Sequence, residues 1–116
     1  MRRLLVTGGW LLAAAIVILS LLPSPPDVDL PHGDKLGHVA AYSLLTFWFC
    51  RLYPQPRTRL LYGAAWIAMG VALEFAQGAT GYRSFELADM AANALGVLVG
   101  AVIALILPAK ARRRGM

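Results

Sequence analysis

The chain has 116 residues, 59% of them hydrophobic and only 15% charged, with a net charge of +5. Soluble domains run to about 45–50% apolar even with Gly counted, and about 25% charged; here 11 Gly come on top of the 59%. So small a globule keeps too much surface in water to bury that much apolar side chain. The composition excludes a soluble enzyme, a disordered chain and a disulfide scaffold, and indicates an integral membrane protein of one domain, residues 1–116. The single Cys50 makes neither an internal disulfide nor a metal motif.

Four apolar stretches follow in chain order, at residues 4–22, 36–53, 60–77 and 87–107. Each fits the roughly 17–25 residues a helix needs to cross the hydrocarbon core, and lipid leaves unpaired backbone groups no partner but a helix. The expectation is an all-α, four-helix membrane bundle. The first stretch follows Arg2 and Arg3 as a signal peptide would, but it is longer than such apolar runs and lacks a small-residue cleavage site before Pro23. An uncleaved first helix is expected. Residues 23–35 are rich in Pro and Asp and read as an extended loop. Residues 54–59, with two prolines, read as a turn. In residues 78–86, Gly78 and Gly81 read as helix-end and turn residues.

The basic residues fix the orientation. Arg2 and Arg3, then Arg51, Arg57 and Arg59, then Lys110, Arg112, Arg113 and Arg114 fall on one side, against Lys35 and Arg83 on the other. The positive-inside rule puts both termini and the middle link in the cytoplasm. The surplus charge is therefore a topology signal, with contact to anionic lipid a further use for it, and no nucleic acid is needed to explain it. Every acid (Asp27, Asp29, Asp34, Glu74, Glu86 and Asp89) falls in or beside the two outward loops.

Polar residues of the spans gather at those outward ends. Asp34, His38 and Tyr42 recur at i, i+4, i+8 and share a face of the second helix. Glu74 and Gln77 lie on the last turn of the third helix, Asp89 and Asn93 on the first turns of the fourth, and Arg83 in the loop between them. Charged groups inside a span are costly, and they usually face a bundle interior or wet cavity where they serve function. The blander reading is polar glue that ties the helices together; Asn93 and Gln77 suit packing or orientation, and Tyr42 suits an interfacial aromatic. Ala92, Gly96 and Gly100 form a small-residue stripe that admits a close helix, within the chain or in an oligomer. Trp10, Trp48 and Trp66 read as lipid or core packing, and Cys50 as inert on the reducing side.

Three segments also resemble the VanZ-like family, small bacterial membrane proteins named for a teicoplanin-resistance determinant. They are Asp34-Lys35-Leu36-Gly37-His38 with Tyr42 following, Glu74-Phe75-Ala76-Gln77, and Arg83-Ser84-Phe85-Glu86-Leu87-Ala88-Asp89 continuing to Asn93 and Gly96. The resemblance covers about residues 30–100. It implies a multi-pass protein of the bacterial cytoplasmic membrane, linked in some family members to lowered teicoplanin susceptibility, and supplies no reaction.

Three functions compete. An envelope enzyme acting on a phospholipid or lipid-linked cell-wall intermediate would use Lys35 and Arg83 to hold phosphate. His38 would be its base, oriented by Asp34, and a partly desolvated Glu74 or Asp89 its acid. On this reading His38, Glu74 and Asp89 are catalytic, while Asp34, Lys35, Tyr42, Gln77, Arg83 and Asn93 bind the ligand. No Ser- or Cys-centred nucleophile motif is present, no spacing demands a metal, and no cofactor is expected. A non-catalytic protein binding lipid, glycopeptide or an envelope partner needs only the same site. A small proton-coupled exporter is disfavoured, because the first helix contains no acid.

Overall fold

The computed structural model describes residues 1–22, 33–81 and 86–107, with Gly33 and Asp34 described by backbone alone. These residues form four helices: α1 (Arg2–Leu21), α2 (Gly33–Leu52), α3 (Pro56–Ala79) and α4 (Leu87–Ile106). No strand occurs among them. The helices overrun the apolar stretches at several ends, because helical hydrogen bonding continues through polar flanks. The clearest case is α3. Pro56 occupies its first turn, where a fixed φ and a missing N–H suit a helix start, so the expected turn of residues 54–59 shrinks to residues 53–55. At the other end α3 runs through Gly78 to Ala79, and only Gly81 takes the turn, at φ 85°. Of the loop expected to be extended over residues 23–35, residues 33–35 instead form the first turn of α2; residues 23–32, the loop residues 82–85 and the basic tail from 108 onward lie outside the described residues.

Helices α1, α3 and α4 are each long and apolar enough to cross a membrane. Leu4, Leu11 and Ile18 of α1, Leu60, Leu61 and Phe75 of α3, and Leu98 and Leu105 of α4 face outward. Helix α2 falls short of that apolarity, since it carries Asp34, Lys35, His38 and Arg51. It is also the most enclosed. Tyr42, Leu45, Thr46, Phe49, Cys50 and Leu52 are buried, and α2 packs on each of the other three helices, most extensively on α4. A helix walled in by neighbours can carry polar groups that a lipid-facing one could not.

The α2–α4 contact rests on the glycines. A Cβ at Gly96 would come 2.6 Å from the Val39 carbonyl oxygen, and one at Gly100 would strike the Ser43 carbonyl. The two backbones therefore touch, and the stripe faces α2 of the same chain. Ser43 Oγ donates to the Gly96 carbonyl at 3.0 Å. His38 meets Asn93, Ser43 meets Gly96, and Arg51 donates to the Leu107 carbonyl. Residue numbers rise together along both helices, so α2 and α4 run parallel and both begin at the end that carries the acids.

At the opposite end an aromatic group packs among α1, α2 and α3. Phe49 lies 4.7 Å from Tyr62 and 5.0 Å from Trp66, and a half-exposed Trp10 meets it edge-on at 5.2 Å. Trp66 is the buried tryptophan, while Trp48 donates its indole N–H to the Leu5 carbonyl at 2.8 Å. Arg2 donates to the Leu52 carbonyl, and Arg59 Nε to those of Cys50 and Tyr53. The arginines thus satisfy carbonyls that the end of α2 leaves unpaired.

Candidate functional site

The polar residues converge where α2 and α4 begin and α3 ends. Lys35, on the first turns of α2, places its ammonium 2.7 Å from Glu86 Oε1 and 2.8 Å from Asp89 Oδ1. One turn on, His38 Nδ1 lies 2.7 Å from Asn93 Oδ1, and its Nε2 lies 3.7 Å from Asp89 Oδ2. The ring is therefore gripped by two residues one turn apart on α4. With Nδ1 protonated and donating to Asn93, Nε2 is left to accept or share a proton beside Asp89.

Glu74 enters from α3 and is 1% exposed. Its Oε2 accepts the backbone N–H of Glu86 at 2.6 Å, pinning the end of α3 to the residue that precedes α4. Tyr42 is buried, and its hydroxyl has no hydrogen-bond partner among the described residues. Long side chains on a helix lean toward its N-terminus, which for Tyr42 is the acidic end. Asn93 fits against Gly70 of α3, where an added Cβ would come 2.9 Å from Asn93 Nδ2.

Lys35, His38, Asp89 and Asn93 therefore meet across α2 and α4, and Glu74 of α3 joins them through Glu86. Gln77 is placed differently. Its amide Nε2 donates to the Ser20 carbonyl at 2.7 Å, tying α3 to the end of α1, while its Oε1 is buried without a partner among the described residues. Lys35, expected as a phosphate ligand, is held between two carboxylates. His38, expected to lean on Asp34, is oriented by Asn93. The Asp34 side chain and Arg83 lie outside the described residues. Among the described residues no group of three His, Cys, Asp or Glu is arranged to hold a metal ion.

Glu86 is the participant that the sequence does not single out. In the outward loop it reads as one more acid, yet it pairs with Lys35 and lends its N–H to Glu74. Its place immediately before the α4 apolar run, three residues ahead of Asp89, is the available signal, since the residue that precedes a helix points its backbone N–H away from the ladder.

An uncharacterized protein of Schizosaccharomyces pombe is 32% identical over 84 residues, which is 70% of this chain and 52% of the relative, so the chain spans about half the length of the relative it matches. No family model matches the chain, and no solved structure matches it.

Proposed function

We propose that the chain is a VanZ-like, multi-pass membrane protein that takes the headgroup of an amphiphile at its acidic end and presents His38 to it. The observation that carries this reading is the convergence of Lys35, His38, Asp89 and Asn93, with Glu74 joined through Glu86, from three helices whose outer surfaces are apolar. A headgroup can reach such a site while its acyl chains stay in lipid. In this reading all four helices cross the membrane as a bundle, with both termini and the α2–α3 link in the cytoplasm, as the basic residues favour. The membrane is the bacterial cytoplasmic membrane of the family it resembles. The amphiphile is a phospholipid or lipid-linked cell-wall intermediate, and an effect on teicoplanin susceptibility would follow from that. Chemistry on the headgroup would use His38 as proton acceptor, with Asp89 beside its Nε2 and Glu74 as the desolvated acid.

The test is native mass spectrometry of the protein extracted with its own lipids, comparing wild type, His38→Ala and Glu74→Ala. A defined lipid held by wild type and lost from both variants supports the site. Equal lipid binding by all three refutes it and favours a second reading, in which the cluster is helix glue. The Gln77–Ser20 tie and the two carboxylates on Lys35 favour that second reading.

A further inference from the structure

At the basic end two guanidiniums are answered by neutral groups alone. Arg2, at the start of α1, donates from Nη2 to the Leu52 carbonyl at 3.0 Å, and its guanidinium lies 5.2 Å from the centre of the Tyr53 ring. Arg59, on the first turn of α3, donates from Nε to the carbonyls of Cys50 and Tyr53 at 2.9 and 3.1 Å. Two cations from different helices thus arrive at successive carbonyls, Leu52 and Tyr53, where α2 ends. Like charges brought together repel, and a carbonyl brings no net charge to offset them. The carboxylate side chains among the described residues, those of Glu74, Glu86 and Asp89, all belong to the opposite end. A guanidinium has five N–H donors. Each arginine commits one nitrogen to α2, and its other donors meet no acceptor among the described residues. Arg2 is exposed and Arg59 half-buried, so both are open to a ligand. Leu4 and Leu5 beside Arg2, and Leu60 and Leu61 beside Arg59, are exposed as well.

We propose that Arg2 and Arg59 together hold the phosphate of an anionic lipid, at the end of the bundle opposite the acidic cluster. The carbonyls of α2 fix each guanidinium by one nitrogen and leave its remaining N–H groups to a phosphate, whose oxygens match the planar fork. A free anion would have no use for the exposed leucines; the acyl chains of a lipid would lie against them. The site does not depend on what the acidic end binds. It also differs from the general attraction of basic segments to an anionic membrane surface, because it needs these two arginines and not their neighbours. Arg57 is the contrast: it is exposed on the same turn as Arg59, and residues two apart on a helix do not face the same way.

The full chain in detergent is offered phosphatidylglycerol or phosphatidylcholine of identical acyl chains, and retention is read by native mass spectrometry. Phosphatidylglycerol should be held roughly tenfold more tightly, the value of one hydrogen bond to a charged group. Equal retention overturns the proposal. Arg2→Gln and Arg59→Gln, whose amides can still donate to the α2 carbonyls, should each bring phosphatidylglycerol down toward phosphatidylcholine. Arg57→Gln removes the same charge and should leave retention unchanged; an equal loss there means diffuse surface charge and overturns the site. Arginine modification by phenylglyoxal locates the lipid on the wild-type protein, with no variant having to fold. Relative to phosphatidylcholine, phosphatidylglycerol should slow labelling of Arg2 and Arg59 severalfold and leave that of Arg57 as it was. Labelling of all three that is slowed alike, or not slowed at all, overturns the site even where phosphatidylglycerol is the better retained lipid. Inorganic phosphate carries the same chemistry without acyl chains. Displacement of phosphatidylglycerol by an equal concentration of it would overturn the lipid as the source.

Discussion

Adding one methyl group at Gly96 should separate α2 from α4, whereas adding one at Gly63 should not. A Cβ at Gly96 would lie 2.6 Å from the Val39 carbonyl oxygen and 2.9 Å from Tyr42 Cβ. Carbon and carbonyl oxygen touch at ~3.3 Å, so the helices must part by about 0.7 Å. The obstructing atoms are backbone and a Cβ, neither of which a rotamer change moves. A gap of that size forfeits a quarter to a half of the dispersion well for each atom pair it opens, and overpacking of this kind costs ~1–3 kcal/mol. It also stretches the Ser43–Gly96 bond of 3.0 Å, worth about 1 kcal/mol. Against this, Ala gains about 1 kcal/mol over Gly in a helix interior. The net expectation for Gly96→Ala is a loss of ~1–3 kcal/mol. At Gly63 the one neighbour of an added Cβ is Val97 Cγ1 at 3.7 Å, an ordinary contact. There the propensity term stands alone, and Gly63→Ala should be neutral or stabilising by up to about 1 kcal/mol. Reversible unfolding in mixed micelles, read by helical circular dichroism, gives both values. A Gly96→Ala protein as stable as wild type, or a Gly63→Ala protein as damaged as Gly96→Ala, would refute the backbone contact.

The two carboxylates on Lys35 should be unequal. Asp89 is 8% exposed and Glu86 44%, so Asp89→Asn should cost toward the ~3 kcal/mol of a broken buried pair. Glu86→Gln should stay below about 1 kcal/mol, as exposed pairs do. The same unfolding measurement ranks them, and equal losses would contradict the geometry. Cys50 is buried among the helices and should resist a maleimide in the folded protein. It should react once α2 is freed, at a rate that follows the fraction unfolded; rapid labelling of the folded state would refute its burial.

The sequence shows helices through their apolar lengths, and it shows which residues are polar where polar residues do not belong. That is why four elements and the acidic-end cluster are legible from the amino acids alone. What the amino acids do not show is who answers whom. Asp34 and His38 are one turn apart and look like a pair, but Asn93 of another helix takes the imidazole, because α2 and α4 lie in backbone contact and their first turns face each other. Lys35 looks like a ligand for phosphate when read alone, and becomes an ion-pair partner once α4 is laid beside it. The glycine stripe announces a close helix without naming it, since any helix with a flat enough face would fit. Burial of α2 is hidden for the opposite reason. Its charged and polar residues make it the least lipid-like of the four, and in a membrane that is the mark of the helix in the middle.

The two ends also differ in how their charges agree with the backbone. Asp89 sits in the first turn of α4, where the partial positive charge of the helix start favours a carboxylate. Arg2 and Arg59, by contrast, sit in the first turns of α1 and α3, where their own helix dipoles oppose them. The local conflict is resolved by turning each guanidinium onto a neighbour, so that Arg2 and Arg59 cap the last carbonyls of α2, while Arg51 does the same for α4. At the basic end every one of these cations is thus matched to an acceptor the helices would otherwise leave bare. At the acidic end the pairing runs through side chains: Lys35 onto Glu86 and Asp89, and His38 onto Asn93. Tyr42 and Gln77 keep buried oxygens without partners among the described residues, as the Trp66 indole N–H does in the aromatic group at the other end. The two ends differ instead in the kind of acceptor they use: backbone carbonyls answer the arginines, whereas side-chain carboxylates answer Lys35.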